Sequence, residues 1–219
     1  MSRGIILLSG GLDSLVSLGL ERDRYNIELA LTFDYGQKSL KNEVRASRDI
    51  CEYYKISHKV IKLDWLRDVT HSAIVEDSEL FEGIKDSEES LQNVWVPNRN
   101  ALFLNIAGAF ADGEDYDYIL IGANREEGEK FPDNSVDFIE RMNLLFEYST
   151  RKQPRVIAPL INSDKNDIVR LALENGMPLE LIHSCYGMTE RHCGRCESCT
   201  RLKNALKANN DTYYTGKLF

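Results

Sequence analysis

The stretch ILLSGGLDSLVSLGL, residues 6–20, decides the fold. An apolar run closes at Ser9, two glycines follow, and a helical pattern begins at Asp13 with Leu15, Val16 and Leu20 at helical spacing. Residues 4–9 read as a buried strand, because a short apolar run bounded by a turn has no solvent face. A strand that passes through Gly-Gly into a helix turns backbone N–H groups toward one concave spot, and the helix N-terminus adds partial positive charge there. Gly10 and Gly11 let the backbone approach an anion closely. Ser9 and Ser14 offer hydroxyl donors, and Leu12 lies between them in the turn. Asp13 suits such a place only if a cation comes with the phosphate, so it is a candidate ligand for Mg²⁺.

The same alternation continues outward. Strands are expected at 27–34, 59–64, 118–123 and 155–160. Helices are expected at 39–56, at 98–113 with Gly113 as C-cap, at 137–149, and from Ser163 as N-cap to a stop at Gly176 and Pro178. Strand and helix in strict alternation predict an α/β fold, a Rossmann-like parallel sheet of about five strands with helices on both faces. Residues 64–93 lack a clear period and carry seven acidic side chains between Glu76 and Glu89, and they read as a long, mobile insertion. The expected division is an α/β domain over 1–182 and a small appendage over 183–219.

At 219 residues the chain can bury one sizeable core. A net charge of −8 argues against non-specific binding to nucleic acid or anionic membrane. No apolar run reaches the roughly 20 residues that span a bilayer, and no signal-peptide pattern opens the chain, so the expected location is cytoplasmic.

Four of the five cysteines, Cys185, Cys193, Cys196 and Cys199, fall close together as C-x7-C-x2-C-x2-C. Short C-x2-C steps let two thiolates reach one ion, and a tetrahedral set of four suits a closed, structural Zn²⁺ site. A [4Fe–4S] cluster is the rival, and a redox C-x-x-C is the weaker one. His183 and His192 flank the ligands and read as bystanders. Cys51 lies on an apolar helix face and reads as a core residue.

The turn SGGLDS (9–14) matches neither common phosphate-loop spacing; it resembles the PP-loop of the ATP pyrophosphatases. With FDYGQ (33–37), VPNRNALFLNIA (96–107), GAN (122–124), FPD (131–133), PLINSDK (159–165) and SCYGMTERHCGRCESCTRL (184–202), the chain resembles the 7-cyano-7-deazaguanine synthases, the QueC family, along nearly its whole length. The resemblance implies an ATP-dependent carbon–nitrogen ligase whose substrates are 7-carboxy-7-deazaguanine, ATP with Mg²⁺, and ammonia. The carboxylate is adenylated, ammonia displaces AMP, and a second ATP drives dehydration of the amide to the nitrile. It also implies a homodimer. Lys165 and Arg99 are the candidates to offset phosphate charge. Lys165 would sit at a helix start, where a cation opposes the dipole, so an anion is expected beside it. Tyr35, Phe131 and Tyr186 are candidate stacking surfaces for the deazapurine. Asp133 or Asp34 is a candidate acceptor for its guanine-like edge, and Gln37 and Asn124 complete the candidate substrate contacts.

The chain departs from the family pattern at Asn134 and Ser135, where a small residue and an arginine are expected, and at Asp34, where asparagine is expected. These departures motivate a second reading, a paralogue of an anti-phage defence or DNA-modification system that couples the adenylate to another amine, such as a protein N-terminus. Two further rivals are a tRNA sulfur transferase, which would need Cys51 as a reactive thiol, and a zinc-ribbon module binding nucleic acid through its basic tail.

Overall fold

A computed structural model describes residues 2–76 and 91–219. Its five strands are β1 (Gly4–Leu7), β2 (Ile27–Asp34), β3 (Ser57–Lys62), β4 (Tyr118–Leu120) and β5 (Arg155–Ile157). All pair in parallel, in the order β3-β2-β1-β4-β5. Among the described residues the helices are α1 (Leu12–Glu21), α2 (Leu40–Tyr54), α3 (Asp64–Asp68), α4 (Arg99–Glu114), α5 (Arg125–Gly128), α6 (Val136–Ser149), α7 (Lys165–Glu174), α8 (Glu197–Ala208) and α9 (Tyr213–Leu218).

The two-residue period of a strand divides the core in two. Ile6 and Leu8 face a layer built by Leu15 and Val16 of α1, Ile168 and Val169 of α7, and Leu202 and Leu206 of α8. Ile5 and Leu7, with Leu29 and Leu31 of β2, face the opposite layer of Leu104, Ala107 and Ala111 on α4 and Met142 and Phe146 on α6. With both faces covered, β1 is buried at every position, which is why it reads as a continuous apolar run. Phe146 packs so closely on α4 that a Cβ at Gly108 would stand 2.7 Å from its ring.

The strand order reverses between β1 and β4, and ligands of open α/β sheets bind in the crevice beyond such a switch point. The Gly-Gly turn leaves β1 there, and the chain leaving β4 abuts it: a Cβ at Gly122 would lie 2.9 Å from the Ser14 nitrogen.

The structure corrects several boundaries. Helix α4 does not stop at Gly113; it runs to Glu114, and Asp115 takes the left-handed C-cap at φ 64°, a conformation its short polar side chain tolerates. The N-cap of α7 is Asp164, not Ser163. Asp164 and Asp167 form a reciprocal capping box, while the Ser163 nitrogen is spent one turn earlier on the Leu160 carbonyl, 2.8 Å away. The segment from residue 64 is folded where it is described. Leu66, Ile74 and Val75 are buried in the second layer, and the Lys38 nitrogen donates to the Ile74 carbonyl at 2.8 Å. Its apolar residues sit on separate short turns and so share no period. The acidic run at 77–90 lies outside the described residues. No described helix is long and apolar enough to cross a membrane.

Candidate functional site

Beyond the C-terminal ends of β1, β2 and β4 lies a cavity of about 280 Å³. One end is polar, with Ser9, Gly11, Leu12, Asp13, Ser14 and Lys165. The other is aromatic and acidic, with Tyr35, Trp95, Arg99, Phe131 and Asp133 among its walls.

The polar end is built by the turn. Gly10 holds φ at +76°, and a Cβ there would meet the Ala46 side chain and the Glu43 carbonyl at 2.8 Å, so only glycine fits. Gly11 is the N-cap of α1 and supplies no side-chain cap. Segment 183–185 lies on this turn: the His183 nitrogen donates to the Gly10 carbonyl at 2.8 Å, and the Leu12 nitrogen donates to the Ser184 hydroxyl at 3.2 Å.

Lys165, at the first position of α7, places its Nζ 2.9 and 2.8 Å from Asp13 Oδ1 and Oδ2. Glu127 lies at 3.8 Å. The anion expected beside Lys165 is therefore Asp13, with Glu127 behind it. Burial pushes the Asp13 carboxyl up from its ordinary value against the pull of Lys165. Burial also works against the Lys165 charge, but Asp13 and Glu127 outweigh it and hold the amine above its ordinary value. Glu126 binds the Lys165 backbone nitrogen at 2.9 Å and Arg201 of α8 at 2.8 Å; Arg201 also reaches Glu197 at 2.7 Å.

At the other end the Arg99 Nε donates to the Asn100 Oδ1 at 3.3 Å, and its guanidinium lies beside the buried Tyr35 phenol. Burial opposes the guanidinium charge, but Tyr35, Asp133 and Glu127 overcome it and raise Arg99. Burial pushes Tyr35 up to about 12 and raises Asp133 despite Arg99. Asp133 accepts from the Asn100 nitrogen at 3.4 Å and from the Asn134 amide at 3.1 Å.

Not every expected contact faces the cavity. Gln37 is buried beneath it, its amide spent on the Tyr35 nitrogen, the Phe33 carbonyl and Glu43. Asn124 is 0% exposed and caps α5 by accepting from the Glu127 nitrogen. Both shape the walls and neither lines the space. Gly10 likewise stands behind Gly11. Tyr35 and Tyr186 do line the cavity, while Tyr35 also packs in the second core layer and Tyr186 against the cysteine cluster. Asp34 accepts from the Gly36 nitrogen at 3.2 Å, away from the cavity. Ser135 caps α6 by accepting from the Phe138 nitrogen at 3.2 Å. Trp95, Glu126, Glu127, Glu197 and Arg201 line the cavity without having stood out as site residues. Glu126 and Glu127 follow the GAN block, and Arg201 follows the last cysteine by two positions. Those adjacencies were the available signal.

The sulfurs of Cys185, Cys193, Cys196 and Cys199 lie within 4.8 Å of one another, and this set could hold a metal ion. Cys193 and Cys199 sulfurs are 3.8 Å apart, about the edge of a tetrahedron with metal–sulfur bonds of ~2.3 Å. Backbone N–H groups of Gly187, Arg195 and Cys196 point at the Cys185 and Cys193 sulfurs at 3.3–3.4 Å, as thiolate ligands require. His183 and His192 stand outside this set. Cys51 is buried in the first core layer, and burial raises its thiol to about 12.

Comparison with known proteins supplies the family. A family model described as "Queuosine biosynthesis protein QueC" matches residues 3–210. The 7-cyano-7-deazaguanine synthase of Methanosarcina barkeri is 45% identical over 216 residues, covering 94% of each chain. That of Carboxydothermus hydrogenoformans is 44% identical over 216 residues, covering 95% of this chain and all of its own. Among solved structures, a "predicted subunit of tRNA methyltransferase" from Methanocaldococcus jannaschii superposes with a TM-score of 0.51 at 17% identity, covering 100% of this chain and 92% of that one. NMN synthetase from Francisella tularensis gives 0.51 at 16%, covering 98% and 80%. At such identities the likeness is one of fold.

Proposed function

This chain belongs to the QueC family of queuosine biosynthesis proteins, and from that premise we propose that it converts 7-carboxy-7-deazaguanine to 7-cyano-7-deazaguanine at the expense of ATP. A carboxylate is a poor electrophile, so the chemical need is a leaving group. The substrate carboxylate attacks the α-phosphorus of ATP and releases pyrophosphate. Ammonia then displaces AMP and leaves the amide. A second ATP adenylates the amide oxygen, and loss of AMP with a proton gives the nitrile.

The residue roles follow from chemistry at the cavity. The turn Ser9–Ser14 holds the phosphates at the α1 N-terminus. Lys165 offsets charge as the pentacoordinate phosphorus develops, and Arg99 supplies a second cation in the same cavity. Asp13 steers Lys165 and, with ATP bound, is the side chain placed to meet Mg²⁺ accompanying the phosphates. Asp133 accepts from the guanine-like edge; Asp34 has no access to it. Tyr35, Gln37, Asn124 and Tyr186 act by shaping the walls. The observation that carries this reading is that one cavity joins an anion-binding turn, the Lys165–Asp13 pair and an aromatic, acid-bearing end.

The four cysteines hold a structural Zn²⁺, since four thiolates leave no position for a substrate. The division into an α/β domain over 1–182 and a C-terminal unit over 183–219 is one of chain order: Leu202 and Leu206 of the latter share the first core layer. A homodimer is the assembly we propose, and the exposed Leu144, Leu145 and Tyr148 on α6 support it. The expected site of action is the cytoplasm.

The reaction with 7-carboxy-7-deazaguanine, ATP, Mg²⁺ and ammonium, read by mass, tests the proposal. The nitrile is the expected product. AMP release with the amide alone would show a reaction that stops before dehydration, and AMP release with no small-molecule product would favour coupling to another amine, for which the relatives give no support.

A further inference from the structure

Trp95 and Phe131 form an aromatic pair that no core packing explains. Their ring centroids are 5.8 Å apart and the planes differ by 16°. Both rings are half-buried and both line the cavity. Among the described residues, neither belongs to the two hydrophobic layers of the fold or to the cluster around the cysteines. The other aromatic walls are committed elsewhere. Phe33 and Phe103 stack on each other at 3.9 Å, Tyr35 packs in the second core layer, and Tyr186 packs on the cysteines. Half-exposed, near-parallel rings at the wall of a cavity are a surface on which a flat π-system stacks.

The residues beside the pair say which flat ring. The short 3-10 turn Pro132–Asn134 begins immediately after Phe131. It puts the Asp133 carboxylate and the Asn134 amide, 3.1 Å apart and both buried, on the same cavity wall. An ionised carboxylate only accepts, and an amide nitrogen donates two hydrogens. A 2-amino-4-oxo pyrimidine ring presents two adjacent N–H donors and a carbonyl acceptor on one edge, which matches a carboxylate with an amide beside it. Adenine presents a donor next to a ring-nitrogen acceptor, and that acceptor would face the carboxylate's own lone pairs.

We propose that Trp95 and Phe131 are the stacking platform for the 7-deazaguanine ring system of the acid substrate, with Asp133 and Asn134 reading its edge, and that the adenine of ATP does not use them. This rests on the substrate class proposed above. It assigns Trp95 a binding role and gives Asn134, one of the departures from the family pattern, a specificity role.

Binding measurements separate the possibilities. The chain has two tryptophans, and Trp65 is 53% exposed, so W65F leaves Trp95 as the sole reporter. Titration of W65F with 7-carboxy-7-deazaguanine, without ATP, is expected to quench its fluorescence. By calorimetry W95A and F131A are each expected to weaken binding of the acid roughly 10- to 100-fold, while W95F retains most of the affinity and W95L does not. ATP binding is expected to be unchanged in all four. Circular dichroism checks that each variant is folded. Unchanged affinity of W95A for the acid, or a loss confined to ATP, would overturn the platform. Failure of the unsubstituted protein to bind the acid at all would instead overturn the substrate class, and the platform with it.

Discussion

Lys165 and Asp13 are 152 positions apart in the chain, and the lysine Nζ lies 2.9 and 2.8 Å from the two carboxylate oxygens. The pair joins the first residue of α7 to the first turn of α1, at the mouth of the Gly-Gly turn. Side-chain exposure is 13% for Lys165 and 20% for Asp13, so the pair is largely shielded from water yet open to a ligand. A cation at a helix N-terminus is unfavourable by itself; Asp13, Glu126 and Glu127 reverse that balance.

Replacing Lys165 by methionine keeps the stem and removes the charge. The expected result is a fall in turnover of roughly 10²- to 10³-fold, the usual effect of losing one preorganised charge at a reacting centre. AMP release under saturating ATP measures it. Lys165→Arg is expected to recover part of the loss. Wild-type turnover in the methionine variant would remove Lys165 from the reaction.

The cysteine cluster and the anion turn are mechanically linked through the His183–Gly10 and Leu12–Ser184 hydrogen bonds. Cys193→Ser is expected to lose the bound metal, lower the unfolding temperature and weaken ATP binding. Two hydrogen bonds at about 1 kcal/mol each correspond to roughly 10- to 30-fold in affinity. Elemental analysis and calorimetry report the two effects separately. Metal loss with unaltered ATP affinity would show that the turn stands without its clasp.

Cys51 is the one thiol outside the cluster. Burial pushes it up to about 12, so almost no thiolate exists near pH 8. Slow alkylation at that pH and unaltered AMP release in Cys51→Ala are expected, with a stability change of about 1 kcal/mol. If turnover collapsed while the fold survived, thiol chemistry of the sulfur-transferase kind would have to be reconsidered.

His58 on β3 meets the Thr32 hydroxyl at 2.8 Å. Burial, assisted by Arg48, holds it below the ordinary histidine value of 6.5. A depressed folded value means that the unfolded chain binds the proton more readily. The contribution to stability is complete above about pH 6.5 and is lost as pH falls from there through the folded value. Melting curves from pH 8 to pH 5 are expected to fall less steeply for His58→Gln than for the unsubstituted chain. Parallel curves would mean that His58 is equally basic folded and unfolded.

The sequence by itself determined the architecture, the anion turn and the cysteine cluster, because each is a local signal. Strand runs, helical spacing and the C-x2-C steps are set by residues a few positions apart, where backbone geometry leaves few choices. The pairing of β1 with β4, which creates the crevice, did not follow from these: alternation implies a parallel sheet but leaves its strand order to the packing of the crossover helices. Exact helix ends escaped: Asp115 and Asp164 took capping positions by hydrogen bonding that Gly113 and Ser163 offered equally well on paper. The substrate end of the cavity escaped more fully. Whether Gln37 points inward, whether Asp34 or Asp133 is reachable, and which aromatic rings stay out of the core depend on what distant elements bury. Trp95 comes to Phe131, and Asp13 to Lys165, only when the sheet is assembled. Tertiary packing decides which polar groups are spent on the protein and which are left for a ligand, and no local pattern in the sequence encodes that choice.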